Sequence, residues 1–198
     1  MLTKEKIAEI VENIEYVNQR KKKKKKWMDY QTICSNSHTM YKGQRDIYER
    51  LNLIYKEDLQ GKSIIDFGCN IGMNCQIAIE LGAIKATGVD VYLHLIEIAS
   101  KLNTLYGNDC SFIQADLAKP VELEKADTGF VFALNAHVNN DEMLAQNIKN
   151  NIKDVVYFET HTNKKFRKLP PKVEEIFKTV KLIGKTHKEQ RNLYRCIL

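Results

Sequence analysis

Apolar and polar positions along this chain follow two different periods, and the switches between them mark out its elements. Ile7, Ile10, Val11, Ile14 and Val17 recur at helical spacing, so residues 3–19 are predicted as a helix with Thr3 as its cap. The run Lys21–Lys26 follows. Trp27 to Tyr41 has no clear period and is rich in Ser, Asn, Thr and Gln, which predicts irregular or partly helical chain. Ile47, Leu51 and Ile54 restore the helical pattern over 44–57, and Gly61 marks a boundary. Short apolar runs then alternate with amphipathic ones. Strands are predicted at 62–67, 84–90, 110–114, 128–134 and 153–159, helices at 71–81, 92–106 and 140–150, with a weaker turn near 121–125. Such alternation builds right-handed βαβ units and a mostly parallel sheet with helices on both faces. The end of the chain differs. Pro170-Pro171 opens a last helix through Phe177, and the runs 180–186 and 192–198 flank polar Lys188-Glu189-Gln190 as an antiparallel hairpin.

The junction of the first predicted strand and helix carries the most chemistry. It reads Asp66-Phe67-Gly68-Cys69-Asn70-Ile71-Gly72, and Asp90 closes the next strand 20 residues beyond Asn70, where a ribose diol would need a carboxylate. A dinucleotide needs G-x-G-x-x-G so that its pyrophosphate can approach the helix N-terminus closely. Counted from Gly68, the chain has Asn70 and Met73 where that pattern asks for glycine, so a nicotinamide oxidoreductase is disfavoured. A strand-end carboxylate also suits a cation better than a phosphate. Asp66 is placed to meet the ammonium of S-adenosylmethionine, Asn70 can adopt the left-handed backbone of a glycine, and Gly72 lets the helix start close to the sheet.

On these residues, together with Gly88-Val89-Asp90 and Gln114-Ala115-Asp116-Leu117, the chain resembles the class I S-adenosylmethionine-dependent methyltransferases over about residues 44–198. The resemblance implies a Rossmann-like three-layer α/β/α sandwich with a mostly parallel seven-stranded sheet and an antiparallel C-terminal hairpin. It implies that Asp66, Gly68 and Gly72 lie under the methionine part, that Asp90 takes the ribose hydroxyls, and that Asp116 accepts from the adenine amino group while Leu117 caps the ring. Cys69, Asn70, Val91, Asn135 and Tyr41 complete the implied cofactor set. Residues 1–43 are read as a helical lid and lysine-rich connector, and 44–198 as the methyltransferase domain. A looser similarity, from Trp27-x-x-Tyr30 through Gly43-Gln44-Arg45 and a His after the fourth strand, runs to the wobble-uridine tRNA methyltransferase-like group.

Methyl transfer from a sulfonium mainly needs an aligned nucleophile and a dry site, and a hydroxyl or amine acceptor also calls for a base. His137, after the fourth strand, is the first candidate base, with His161 and Glu159 behind it; each can equally serve its own loop. The Asn-Pro-Pro-Tyr-type box of nucleobase amino methyltransferases is absent, since Asn135-Ala136-His137-Val138 stands there. Arg45 can meet the cofactor carboxylate bidentately, or merely begin a surface helix beside Asp46. Trp27, Tyr30 and Tyr41 either wall a substrate pocket or pin the segment to the core.

Charge and cysteines change the picture little. The net charge of +6 is carried entirely by Lys21–Lys26, so the rest of the chain is neutral. That run is either a solvated connector or a contact for a polyanion. The five cysteines form no C-x-x-C and no metal-ligand spacing, so reduced thiols in a cytoplasmic protein and no metal are expected, and no apolar run is long enough to span a bilayer, so no membrane partner is expected. The expected activity is methyl transfer to an oxygen, less readily a nitrogen, of a small acceptor, releasing S-adenosylhomocysteine. RNA methylation and a non-catalytic cofactor-binding role are the alternatives.

Overall fold

The structure, a computed structural model, describes residues 3–12, 15–18, 23–26, 30–36, 38–188 and 190–198. Lys21, Lys22 and Trp27 lie outside these residues. The chain opens with α1 (Lys4–Glu12), β1 (Glu15–Asn18), β2 (Lys23–Lys26), β3 (Ile33–Ser35), β4 (His38–Tyr41) and α2 (Tyr48–Leu51). The main sheet and its helices follow: β5 (Ser63–Phe67), α3 (Met73–Glu80), β6 (Lys85–Asp90), α4 (Leu93–Tyr106), β7 (Cys110–Gln114), β8 (Ala126–Phe132), α5 (Asp141–Asn151), β9 (Ile152–Glu159), α6 (Pro171–Glu174), β10 (Thr179–Thr186) and β11 (Arg191–Ile197). The seven-stranded sheet runs β10-β11-β9-β8-β5-β6-β7. Its β5–β9 portion is parallel, and β11 pairs antiparallel with both β9 and β10.

Side chains alternate across the sheet, as the twofold period of a strand requires. On β5, Ile64 joins the core under α1 to α4, while Ile65 and Phe67 join the core under α5 and α6. Asp66 therefore points to the same face as Ile64, and so do Phe130 and Tyr157 from the neighbouring strands. Both faces are covered, which explains why these strands read as nearly continuous apolar runs. No helix among the described residues is long and apolar enough to cross a membrane.

The N-terminal third departs from the sequence reading. The helix expected over 3–19 stops at Glu12, and β1 pairs with four of the lysines, in the register Glu15 opposite Lys26. Tyr16 and Val17 are strand formers, and here they override the apolar period. Residues 33–41, expected to be irregular or partly helical, form the β3–β4 hairpin, with Ile33 and Cys34 buried in the first core. The helix expected over 44–57 is reduced to the single turn of α2 and a 3-10 turn at Lys56–Asp58. A buried polar knot holds that second turn: Asp58 accepts from the Tyr157 hydroxyl and from Nε and Nη2 of Arg195. The last helix covers only Pro171–Glu174 of the expected 170–177.

The link between β7 and β8, where a weak turn was expected at 121–125, has no helix. It is held by two asparagines one turn apart on α5. Asn147 accepts from the Val121 N–H and donates to the Leu117 and Lys119 carbonyls. Asn151 accepts from the Leu123 N–H and donates to the Val121 carbonyl. Side chains thus do for this buried segment what a sheet would otherwise do. Replacing Asn147 by Ala strands the Val121 N–H without a partner. The expected cost is about 2–3 kcal/mol, read as a lower denaturation midpoint with an unchanged slope.

Candidate active site

At the carboxyl edge of the sheet the chain leaves β5 through a turn in which three residues have left-handed backbone. These are Gly68 (φ 79°), Asn70 (φ 54°) and Gly72 (φ 78°), the last starting α3. The two glycines are required by space as well as by φ. A Cβ on Gly72 would lie 2.4 Å from the Phe112 ring, and one on Gly68 would lie 2.8 Å from Leu134. Asn70 tolerates the conformation because its own Oδ1 accepts the Ile71 N–H. Cys69 is buried beside Gly88, and burial pushes its thiol up, so it is an inert wall.

Asp66 stands beneath this turn, 1% exposed. Its Oδ2 accepts from the Asn74 amide at 2.9 Å, while Oδ1 is buried without a partner. Desolvation pushes its carboxyl up to about 7, against the opposing pull of the Asn74 bond and the Arg50 charge. A carboxylate in this state favours a cation brought to the turn, since that would stabilise its ionised form. Asp90 ties the turn down from the next strand: Oδ2 accepts the Asn70 N–H at 2.9 Å and Oδ1 the Tyr92 N–H at 3.1 Å. Each oxygen retains a lone pair for another donor. Val91 and Leu93 expose apolar surface alongside. At the end of β7, Asp116 is half-exposed with Oδ1 on the Ala118 N–H, and Leu117 is buried in the second core.

The other side of the site is built from β8, β9 and the N-terminal segment. Ala133, which has no polar side chain to help it, is left-handed at φ 55°. This local strain turns the chain so that Leu134 covers Gly68 and Asn135 enters the protein. Asn135 donates to the Phe166 carbonyl at 3.0 Å, and its Oδ1 is buried unpartnered. The exposed His137 ring meets His161 edge-on, centroids 5.8 Å apart. His161 Nδ1 accepts from the Asn163 N–H at 3.1 Å, and desolvation followed by the Arg191 charge lowers its pKa. The neutral ring therefore carries its proton on Nε2 and is a donor. That is the opposite of the base role expected for it.

Glu159 also departs from its expected role. It is 1% exposed, bound by Arg191 Nη1 at 2.8 Å and Thr186 Oγ1 at 2.6 Å, with Arg50 Nε at 3.7 Å. Against its burial, the Arg50 and Arg191 charges and the Thr186 bond hold its pKa below the ordinary carboxylate range. A carboxylate held ionised in this way braces the site and is a poor proton acceptor. Arg45 sits with Nη1 on His187 Nδ1 and its guanidinium 5.5 Å from the Tyr30 ring centroid. Its charge acts on His161 and His187, whereas at Asp66 the guanidinium that acts is Arg50. The expected bidentate contact of Arg45 with a cofactor carboxylate thus has its guanidinium on the β9 side of the site. Tyr41 is half-buried against the first core, opposite Ile33.

Arg50, Arg191, His187, Asn74 and Ala133 were not singled out by the sequence. Arg50 and Arg191 lie in segments whose patterns announce only a helix and a strand. Their burial depends on Glu159 arriving from a third element.

The sequence profile of the family described as "Methyltransferase domain" matches residues 38–187. A ribosomal protein L11 methyltransferase of Shewanella amazonensis is 52% identical over 40 residues, which are 20% of this chain and 14% of that relative. The crystal structure of WbdD superposes over 96% of this chain and 46% of its own, with a TM-score of 0.71 and 18% identity. Magnesium protoporphyrin IX methyltransferase from Synechocystis PCC 6803, solved with bound SAM, gives a TM-score of 0.55 at 17% identity over 74% of each chain. The chain thus spans less than half of WbdD and a seventh of the L11 methyltransferase.

The buried state of Asp66 has a measurable consequence for stability. Its folded pKa lies above the unfolded value, so the unfolded chain releases this proton first, and stability falls as pH rises from about 4 to about 7. Asp66→Asn removes that slope while keeping an oxygen that accepts from Asn74. The variant is expected to unfold at higher temperature than the wild type at pH 8, with the gap closing near pH 4, as thermal denaturation across that range will show.

Proposed function

The chain belongs to the methyltransferase-domain family, and on that footing we propose that it transfers a methyl group from S-adenosylmethionine to an oxygen of a small-molecule acceptor, leaving S-adenosylhomocysteine. The observation that carries this reading is Asp66, a buried carboxylate with one oxygen unpartnered beneath a turn of three left-handed residues. Its negative potential suits the cationic methionine end of the cofactor and opposes a pyrophosphate. When bound, the cofactor supplies a methyl group already activated for displacement.

The chain's own residues then bind, orient and exclude water. Gly68 and Gly72 let Leu134 and Phe112 pack tightly against the turn, and Asn70 completes it. Asp90 holds the turn through the Asn70 N–H and offers its remaining lone pairs to the ribose hydroxyls. Asp116 is assigned to the adenine amino group, with Leu117 and the apolar surface of Val91 against the ring. Leu134 and Asn135, brought in by the left-handed Ala133, close the methionine end.

Calorimetric titration with S-adenosylhomocysteine tests the reading, because that ligand keeps the ammonium. Binding is expected to tighten roughly eightfold between pH 6 and pH 7.5 as Asp66 ionises. In Asp66→Asn binding is expected to be weaker and flat over the same range. Firm binding of NADH with no binding of S-adenosylhomocysteine would sink the proposal.

A further inference from the structure

Among the described residues, the acceptor side of the site holds many proton donors and lacks an oriented base. Arg45 makes no ion pair among the described residues, and its Nε is buried without a partner. His187 uses Nδ1 to accept from Arg45, and His161 uses Nδ1 to accept from the Asn163 N–H. Each neutral ring is left with an N–H at Nε2. The carboxylates nearby are engaged: Glu159 by Arg191, Thr186 and Arg50, and Glu49 by the His187 N–H at 2.7 Å. His137 is exposed, and among the described residues no hydrogen bond orients its ring. An alcohol or amine acceptor would have to lose a proton here with no described residue positioned to take it.

From this arrangement, and resting on the function proposed above, we infer that the methyl acceptor is an oxyanion, a carboxylate or a phosphomonoester, bound by the Arg45 guanidinium and the Nε2–H groups of His161 and His187. Such an acceptor arrives deprotonated, so the site needs donors and no base. The acceptor oxygen forms a bond to the methyl carbon with one of its lone pairs while the carbon–sulfur pair returns to sulfur. A carboxylate and a sulfonium thereby become a neutral ester and a neutral thioether, and no proton moves. A phosphomonoester dianion becomes a methyl phosphodiester monoanion by the same step. Uncompensated donors in a partly dry site favour the anion before reaction and neither hydrolyse nor protonate it. The charges of Arg191 and Arg50 are already turned to Glu159, although Arg191 Nε is itself buried without a partner.

Two measurements on the full chain test this. In the first, the complex with S-adenosylhomocysteine is titrated with inorganic phosphate and with acetate while the imidazole resonances are followed. At least one of the two is expected to shift the His161 and His187 signals, and Arg45→Ala is expected to abolish the shift while leaving the S-adenosylhomocysteine Kd within about twofold. In the second, methyl transfer is compared among benzoate, phenyl phosphate, phenol and benzylamine. One of the first two is expected to be the best acceptor, and which one separates a carboxylate from a phosphate substrate. Its kcat/KM is expected to fall about thirtyfold in Arg45→Ala and in His161→Ala, and less in His161→Gln, which keeps an N–H near Nε2. The inference is overturned if neither anion moves the imidazole signals, or if phenol or benzylamine is the best acceptor. It is also overturned if Arg45→Ala weakens S-adenosylhomocysteine itself, which would put the guanidinium on the cofactor carboxylate. Failure of the wild type to bind S-adenosylhomocysteine would instead refute the function on which this inference rests.

Discussion

The carboxyl edge of this protein depends on one buried charge. Glu159 ends β9 with almost no access to water, and such a carboxylate is tolerable only if cations and donors surround it. Arg191 comes from β11, Thr186 from β10 and Arg50 from α2, so one carboxylate fixes the mutual position of the sheet, the terminal hairpin and the N-terminal segment. Arg50 passes the constraint on. Its guanidinium lies 4.9 Å from the Phe132 ring centroid, and its charge reaches Asp66. Removing Glu159 would leave Arg191 and Arg50 buried without their anion, a loss on the order of 3–5 kcal/mol in comparable pairs.

This arrangement divides the site into two electrostatic halves. Under the β5–α3 turn there is a carboxylate short of cations, because the nearest guanidinium is shared with Glu159. On the β9 side, among the described residues, the Arg45 guanidinium makes no ion pair, and Glu159 is already bound by Arg191 and Thr186. On the function and acceptor proposed above, the two deficits would face ligands of opposite charge, and reaction between them would discharge both. Preorganised fields of this kind are set by folding and need no rearrangement when the ligands arrive.

Much of this was legible in the residues. The five parallel strands, the three long helices and the terminal hairpin follow from period and length, because both faces of the sheet are covered and strand and helix patterns there have no competitor. The turn Asp66–Gly72 was legible because only a few residue types accept left-handed backbone at close quarters, and Gly68, Asn70 and Gly72 are among them. The N-terminal segment was not, since its shape comes from tertiary contact: the pattern over 44–57 is helical, yet only two short turns form, the second held by the bonds of Asp58 to Tyr157 and Arg195. Roles that depend on a partner were hidden as well. Glu159 and His161 look like bases in one dimension. Arg191 makes the first a brace and the Asn163 N–H makes the second a donor. Ala133 carries no residue-type signal for its left-handed backbone at all.

Phe112 shapes the turn without being part of it. It belongs to β7, which among the described residues closes the sheet on one side and pairs only with β6, yet its ring defines the space around both Gly72 and Gly88. Outermost strands fray first, and their amides exchange with solvent sooner than those of central ones. Opening of β7 would therefore release the wall against which the ligand turn is shaped, so local breathing at this rim and ligand residence time become one coupled property, although Phe112 need never touch the ligand.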